Sequence, residues 1–155
     1  MSDGQPVTRA VTAARALGLD VVVTSHGPVR SLAEAAELRG IEPRDIVKTM
    51  VVRRAADDYL FVLVPGDSEI AWPKLRALLG VSRLSMPDAA TALDVTGYER
   101  GTITPFGART AWPVVADRSI VGRRVSMGAG AHGVAMAADS DALLAALAAT
   151  IADIT

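Results

Sequence analysis

The sequence predicts an α+β fold, and three observations lead to it. Helical and strand patterns interleave irregularly along the 155 residues, a two-strand signature sits mid-chain, and three short strand patterns cluster late. A doubly wound sheet would instead alternate strand and helix regularly. The length falls within the range of one compact core, so residues 1–155 are expected to form a single domain.

The elements follow in order. Val7, Val11, Ala14 and Leu17 recur at helical spacing after Pro6, and Gly18 offers a left-handed exit, which predicts a first amphipathic helix. Leu19 to Ser25 reads as a strand. Ser31 followed three residues later by Glu34 is a capping box, and Gly40 closes the run Leu32 to Arg39, predicting a second helix. Ile46 to Arg53 and Tyr59 to Pro65 are rich in strand-forming residues and flank the polar stretch Arg54 to Asp58, the pattern of an antiparallel hairpin. Pro73 to Leu79, closed by Gly80, predicts a third helix, and Pro87 to Leu93, opened by Met86-Pro87, a fourth. From Asp94 to Arg109 the pattern gives way to Gly97, Gly101, Pro105 and Gly107, a long loop of the kind that often bears function. Trp112 to Ala116, Arg124 to Met127 and Val134 to Ala137 read as strands, and Asp139 or Ser140 caps a terminal helix from Ala142 to about Ile151.

Composition narrows the function classes. Half the residues are apolar and 21% are charged, which excludes a chain too polar to bury a core. Sixteen basic against seventeen acidic residues leave a net charge of −1, so no global positive field holds nucleic acid, and any such contact must be local. With no cysteine there is no disulfide framework, thiolate metal site or cysteine nucleophile, a composition that suits a reducing cytoplasm. The longest stretch free of Asp, Glu, Lys and Arg, Val125 to Ala138, is short and broken by glycines, so no bilayer span is expected. His26 and His132 lack partners at metal-ligand spacing, and no metal or other cofactor is expected. Ser25 and His26 are adjacent on a strand pattern, where neighbouring side chains diverge, so they do not form a nucleophile and base.

Lys48 lies inside Ile46-Val47-Lys48-Thr49-Met50-Val51-Val52, on one face with Ile46, Met50 and Val52. Two readings stand for it. Its stem packs on apolar neighbours while the ammonium reaches solvent, or the ammonium anchors a phosphate or polarises an ester in a partly desolvated cleft. Thr49 faces the other way, as a packing residue or a hydroxyl donor to a ligand. Gly101-Thr102-Ile103-Thr104-Pro105-Phe106-Gly107 is either a rigid connection plugged by Phe106 or a loop presenting backbone amides to an oxyanion. Gly128-Ala129-Gly130-Ala131-His132-Gly133 lacks the lysine and spacing of a phosphate loop and reads as a sharp turn between strands. The pairs Arg53-Arg54 and Arg123-Arg124 are phosphate contacts or simply solvated strand ends.

Three blocks in order resemble the free-standing aminoacyl-tRNA editing proteins of the YbaK type and the editing domain inserted in bacterial prolyl-tRNA synthetases. They are Ser31 to Ala36 through Ile46-Val47-Lys48-Thr49, then Thr96-Gly97-Tyr98-Glu99-Arg100-Gly101 through Gly107, then Val125 to Gly133. The resemblance covers the chain from about Leu17 onward and implies a mixed, mainly antiparallel sheet of about six or seven strands wrapped by four or five helices. It implies hydrolysis of the ester joining a wrong amino acid to a tRNA, with Cys-tRNA(Pro), or another small amino acid on tRNA(Pro), as the leading substrate. On this likeness Lys48 is the family's essential lysine and Gly101 its catalytic-loop glycine. Gly101 and Pro105 would frame the loop whose backbone holds the aminoacyl end, and Gly130 and Gly133 would shape the opposite wall. Thr49, Ile103, Thr104 and Gly128 would be further substrate-binding residues, with His132 either bonding the α-amine or sugar or capping the turn. This chain carries Gly128-Ala129-Gly130 where cysteine-specific members have Ser-Gly-Gly, and His132 in place of a basic Lys or Arg.

The implied partner is the acceptor end of a mischarged tRNA, delivered by a prolyl-tRNA synthetase or an elongation factor, with no DNA or membrane partner and a cytoplasmic location. Two rivals stand beside this reading. One is a non-catalytic module that binds tRNA ends or aminoacyl nucleotides, and the other is a small esterase indifferent to RNA.

Overall fold

The computed structural model describes residues 7–155. Pro6, read above as the breaker ahead of the first helix, lies outside them. Seven strands form one sheet: β1 (Val22–Ser25), β2 (Ile46–Ala55), β3 (Asp58–Pro65), β4 (Val114–Asp117), β5 (Arg124–Gly128), β6 (Val134–Asp139) and β7 (Thr150–Ala152). Their spatial order is β1-β6-β5-β2-β3-β4-β7. The β1/β6, β5/β6 and β2/β3 pairings are antiparallel, and three short parallel pairings join them. Five helices flank the sheet: α1 (Arg9–Ala16), α2 (Leu32–Arg39), α3 (Trp72–Leu79), α4 (Ala89–Thr96) and α5 (Ser140–Ala146). The α+β class and the mixed, mainly antiparallel sheet are as expected. Among the described residues no helix is long and apolar enough to cross a membrane.

The β2–β3 hairpin is the spine because both its faces are covered. Val47, Val51, Phe61 and Leu63 pack with Val11 of α1, Tyr98 and Phe106 of the long loop, and Leu143 and Leu144 of α5. On the other face Val52, Leu60, Val62 and Val64 meet Leu75 of α3 and Ile154. This two-sided burial explains the near-continuous apolar run in β3. A smaller cluster of Ala35, Ala36 and Ile46 seats α2 on the face that carries Lys48. Ser31 caps α2, its Oγ accepting from Glu34 N at 3.1 Å, and Gly40 ends it in the left-handed conformation at φ 70°.

Several boundaries differ from expectation. α1 buries Ala10, Val11 and Ala14, whereas Val7 and Leu17 are exposed, because the Thr8 cap and the end at Ala16 leave both outside the helix. The first strand begins at Val22, since only Val22–Ser25 find β6 partners. Asp88, whose carboxylate accepts from Thr91 N at 2.8 Å, opens α4, so Pro87 precedes the cap rather than starting the helix, and α4 runs on to Thr96. β4 starts at Val114, after Pro113, and Trp112 stands outside it in a T-shaped pair with the Tyr59 ring. The terminal helix stops at Ala146. Ala148 at φ 50° breaks it, and Thr150–Ala152 pairs in parallel with β4, so Ile151 belongs to a strand.

Candidate functional site

The site starts from an incomplete sheet edge. β2 pairs with β3 along its length, but β5 meets it only at Ile46 and Val47. At the far end Arg53 exchanges backbone hydrogen bonds with Ser85, at 2.7 and 3.1 Å. Between these two closures no strand among the described residues covers β2. Backbone groups alternate sides along a strand, and Arg53 points its pair away from β3. Thr49 and Val51 therefore direct their N–H and C=O groups into the same gap.

A cavity of about 620 Å³ occupies that gap. β2 contributes Ile46 to Val51, the α4 entrance Met86 to Ala89 with Ala92, the long loop Arg100, Gly101 and Ile103, β5 Gly128, and α2 Arg39. Lys48 stands on the face shared with Ile46 and Met50. Its Nζ donates to the Ser68 carbonyl at 2.8 Å and lies 3.5 Å from Glu69 Oε1, and its side chain is 29% exposed. The partly exposed stem beside apolar neighbours and the ammonium held by Ser68 fit the packing reading, and Lys48 is also a lining residue of the cavity. Thr49 Oγ1 is buried without a hydrogen-bond partner, a state that costs about 1–3 kcal/mol until something bonds it. Thr49 is the one hydroxyl-bearing lining residue, and Asp88 the one carboxylate. Hydrogen bonds from Thr91 hold the Asp88 carboxyl below its ordinary range, which makes it a weak base.

Of the residues singled out from sequence, Lys48, Thr49, Gly101, Ile103 and Gly128 line this one cavity. Gly101, at φ 90°, is exposed with open space where a Cβ would be, and its N–H makes no backbone hydrogen bond among the described residues. Thr104 and Pro105 lie beneath the loop: both are buried, and Thr104 Oγ1 points to Met127 Sδ at 3.7 Å. Gly130 and Gly133 are not lining residues. Gly130 packs against the Tyr98 ring, and Gly133 accepts from His26 N at 2.8 Å, joining the turn to the end of β1. His132 stands exposed on the turn with Nε2 2.9 Å from Glu99 Oε2, tying the turn to the long loop outside the cavity.

Two residues escaped the sequence reading. Tyr98 is 4% exposed, its hydroxyl donates to the Phe106 carbonyl at 2.6 Å, and Arg9 lies over its ring at 4.8 Å, so it is the post on which the loop is built. Its position within a turn-rich segment hides this. Arg39 ends α2, where a cation complements the helix dipole and looks like a surface residue. Yet it falls three and four residues after the buried Ala36 and Ala35, on the apolar stripe, and that was the available signal. Its Nη1 donates to Ser126 Oγ at 3.2 Å, its Nε is buried without a partner, and burial lowers its pKa. Among the described residues no three His, Cys, Asp or Glu side chains gather as a metal site requires.

The cavity offers one ammonium, a free strand edge, a loop amide and apolar walls, a set suited to binding a polar ester and orienting it without a protein nucleophile. Comparison with known proteins bears on this arrangement. The proline–tRNA ligase of Thermosipho melanesiensis is 36% identical over 96 residues, 61% of this chain and 17% of the ligase. That of Thermosipho africanus is 37% identical over 92 residues, 59% of this chain and 16% of the ligase. The chain thus matches about one-sixth of the length of these relatives. A crystal structure described as a candidate trans-editing enzyme for prolyl-tRNA synthetase superposes with TM-score 0.86 at 27% identity, covering 95% of this chain and 94% of that one. The family model for the aminoacyl-tRNA editing domain matches residues 26–146, a span that contains every lining residue of the cavity, and the chain belongs to that family.

Proposed function

We propose that this chain is a trans-acting aminoacyl-tRNA deacylase, with residues 1–155 acting as one editing domain on tRNA(Pro) mischarged with cysteine or another small amino acid. The observation that supports this most is the meeting of Lys48, the open β2 edge and Gly101 in one cavity of a chain that belongs to the editing family. Its size is in the range of sites for small molecules, suited to the aminoacylated terminal nucleotide rather than to duplex RNA. Lys48 anchors the charged and polar end of that nucleotide, while the Thr49 and Val51 backbone groups and the Gly101 amide hold the aminoacyl end. Water adds to the ester carbonyl carbon, the C–O bond to the ribose breaks, and the ribose oxygen takes the proton. The free acid and a deacylated tRNA leave. The protein lowers the barrier by placing donors where the carbonyl oxygen gains charge.

The small net charge favours delivery of the tRNA by a prolyl-tRNA synthetase or an elongation factor in the cytoplasm over unaided capture. The deciding experiment is deacylation of a panel of mischarged tRNAs by wild type and Lys48→Ala, with folding of both checked by circular dichroism. The wild type is expected to clear at least one species, and the variant to lose about 10- to 100-fold in kcat/KM, the loss of one charge-assisted contact. A folded wild type that binds tRNA but hydrolyses none makes the chain a binding module instead. Turnover of simple esters without any RNA dependence makes it a general esterase.

A further inference from the structure

We infer that Arg39 is a second cationic anchor of the cavity, built to take a phosphodiester oxygen of a bound RNA end alongside Lys48. The inference rests on the deacylase reading and adds to it a contact that the reading does not use.

The argument begins with an imbalance of charge. Arg39 is half-buried, yet no carboxylate lies within ion-pair distance of it among the described residues. Ser126 Oγ takes one of its five N–H groups, and the Nε proton is buried unbonded. An ion removed from water without a counter-ion is among the costlier arrangements in a protein. A guanidinium cannot relieve it by giving up its proton near neutral pH. Arg39 borders two cavities, so an anion from outside the chain can reach it and supply the missing partner.

Arg39 separates two cavities, and the charges around each show on which side the anion binds. The far cavity, bounded by the segment before β2 and by β1 and β5, carries Glu37, Glu42 and Asp45 on its walls against Arg123 and Arg124. Its carboxylates oppose an anion. In the β2 cavity the other charged lining groups are Lys48, Arg100 and the single carboxylate of Asp88, which is already occupied as the α4 cap. Ser126 pairs in register with Ile46, two residues before Lys48 on the same strand face, so both cations rise from one side of the sheet. Gly128 follows Ser126 on β5 with no side chain to fill the intervening floor. Lys48 Nζ is held by the Ser68 carbonyl, with Glu69 3.5 Å away, so the planar guanidinium, which has no carboxylate of its own, is the cation left to take a phosphodiester oxygen over this floor.

The test uses an RNA hairpin that carries no amino acid and ends in single-stranded ACCA, titrated by fluorescence from 50 to 200 mM salt. The proteins are wild type, Arg39→Gln, Arg39→Lys and Arg124→Gln, each checked by thermal melting. Arg39→Gln should weaken binding about tenfold at low salt. It should also flatten the slope of log K against log salt by about 0.7, one single-strand phosphate contact. Arg39→Lys should restore the slope. Arg124→Gln removes the same charge on the far side and should change neither. Equal behaviour of Arg39→Gln and wild type, or an equal loss in Arg124→Gln, overturns the anchor while leaving the deacylase reading intact. A wild type that does not bind the hairpin overturns the anchor directly. The deacylase reading itself stands or falls on the mischarged-tRNA assay, so the two failures are told apart.

Discussion

Substituting Gly130 by alanine tests whether this glycine acts on the substrate or on the fold. The structure favours the fold. A Cβ at Gly130 would stand 2.7 Å from Tyr98 Cε1 and 3.3 Å from two further ring atoms, at a backbone φ of 84°. An L-residue in that conformation costs about 1–2 kcal/mol. The ring cannot swing away, because Tyr98 is 4% exposed and its hydroxyl is tied to the Phe106 carbonyl, so overpacking adds about 1–3 kcal/mol. Gly130→Ala should therefore lose about 2–5 kcal/mol, a large share of the roughly 5–15 kcal/mol that holds a domain together. Gly101→Ala is the matched control. Gly101 has φ 90° but nothing within 4 Å of its Cβ position, so only the conformational cost of about 1–2 kcal/mol applies. Urea unfolding of both variants at unchanged m value separates the two effects. Equal losses in the two variants would refute the claim that Tyr98 is what demands glycine at 130.

Other expectations follow from named contacts. Tyr98→Phe leaves the buried Phe106 carbonyl without its 2.6 Å donor and should cost about 1–3 kcal/mol in urea unfolding, with a parallel loss of deacylation if the loop it supports holds substrate. Asp117 is 1% exposed. Burial would raise its pKa, but hydrogen bonds from Ser119, Ile154 N and Thr155 outweigh burial and leave it below the usual carboxylate range. Its contribution is present above the unfolded pKa of about 3.9 and disappears as pH falls through the lower folded value. Asp117→Asn should thus be less stable at pH 7 and show a shallower fall in urea midpoint from pH 5 to pH 2. An acid limb as steep as wild type would count against this assignment.

Much of the fold was legible because its signals are local. The Ser31 cap and Gly40 exit place α2 to the residue, and the alternation in β2 correctly puts Lys48 with Ile46 and Met50 and sets Thr49 opposite. Some misses turned on local caps, as at Thr8 and Asp88, and others were decided by a distant partner. Ile151 continues an apolar pattern that suits a helix, but the edge of β4 captures it. Trp112 has strand propensity, yet its indole N–H donates to the Val95 carbonyl at 2.8 Å outside β4. In the candidate site, the family resemblance implied that Gly130 and Gly133 form a cavity wall, whereas the residues themselves read as a sharp turn. The turn carries them to Tyr98 and His26 instead.

By itself the sequence determined the α+β class from the order of patterns along the chain, the lack of a cysteine nucleophile from composition, and most element positions and the strand lysine from neighbours within a turn or two of chain. Only the tertiary structure decided that β5 leaves β2 after Val47, so that Thr49 and Val51 face a cavity rather than a strand. It alone also decided that Arg39 enters that cavity from a helix end. Both outcomes depend on pairing between segments far apart in the chain, whose register is settled by the shared core and leaves no mark in the local pattern of either segment.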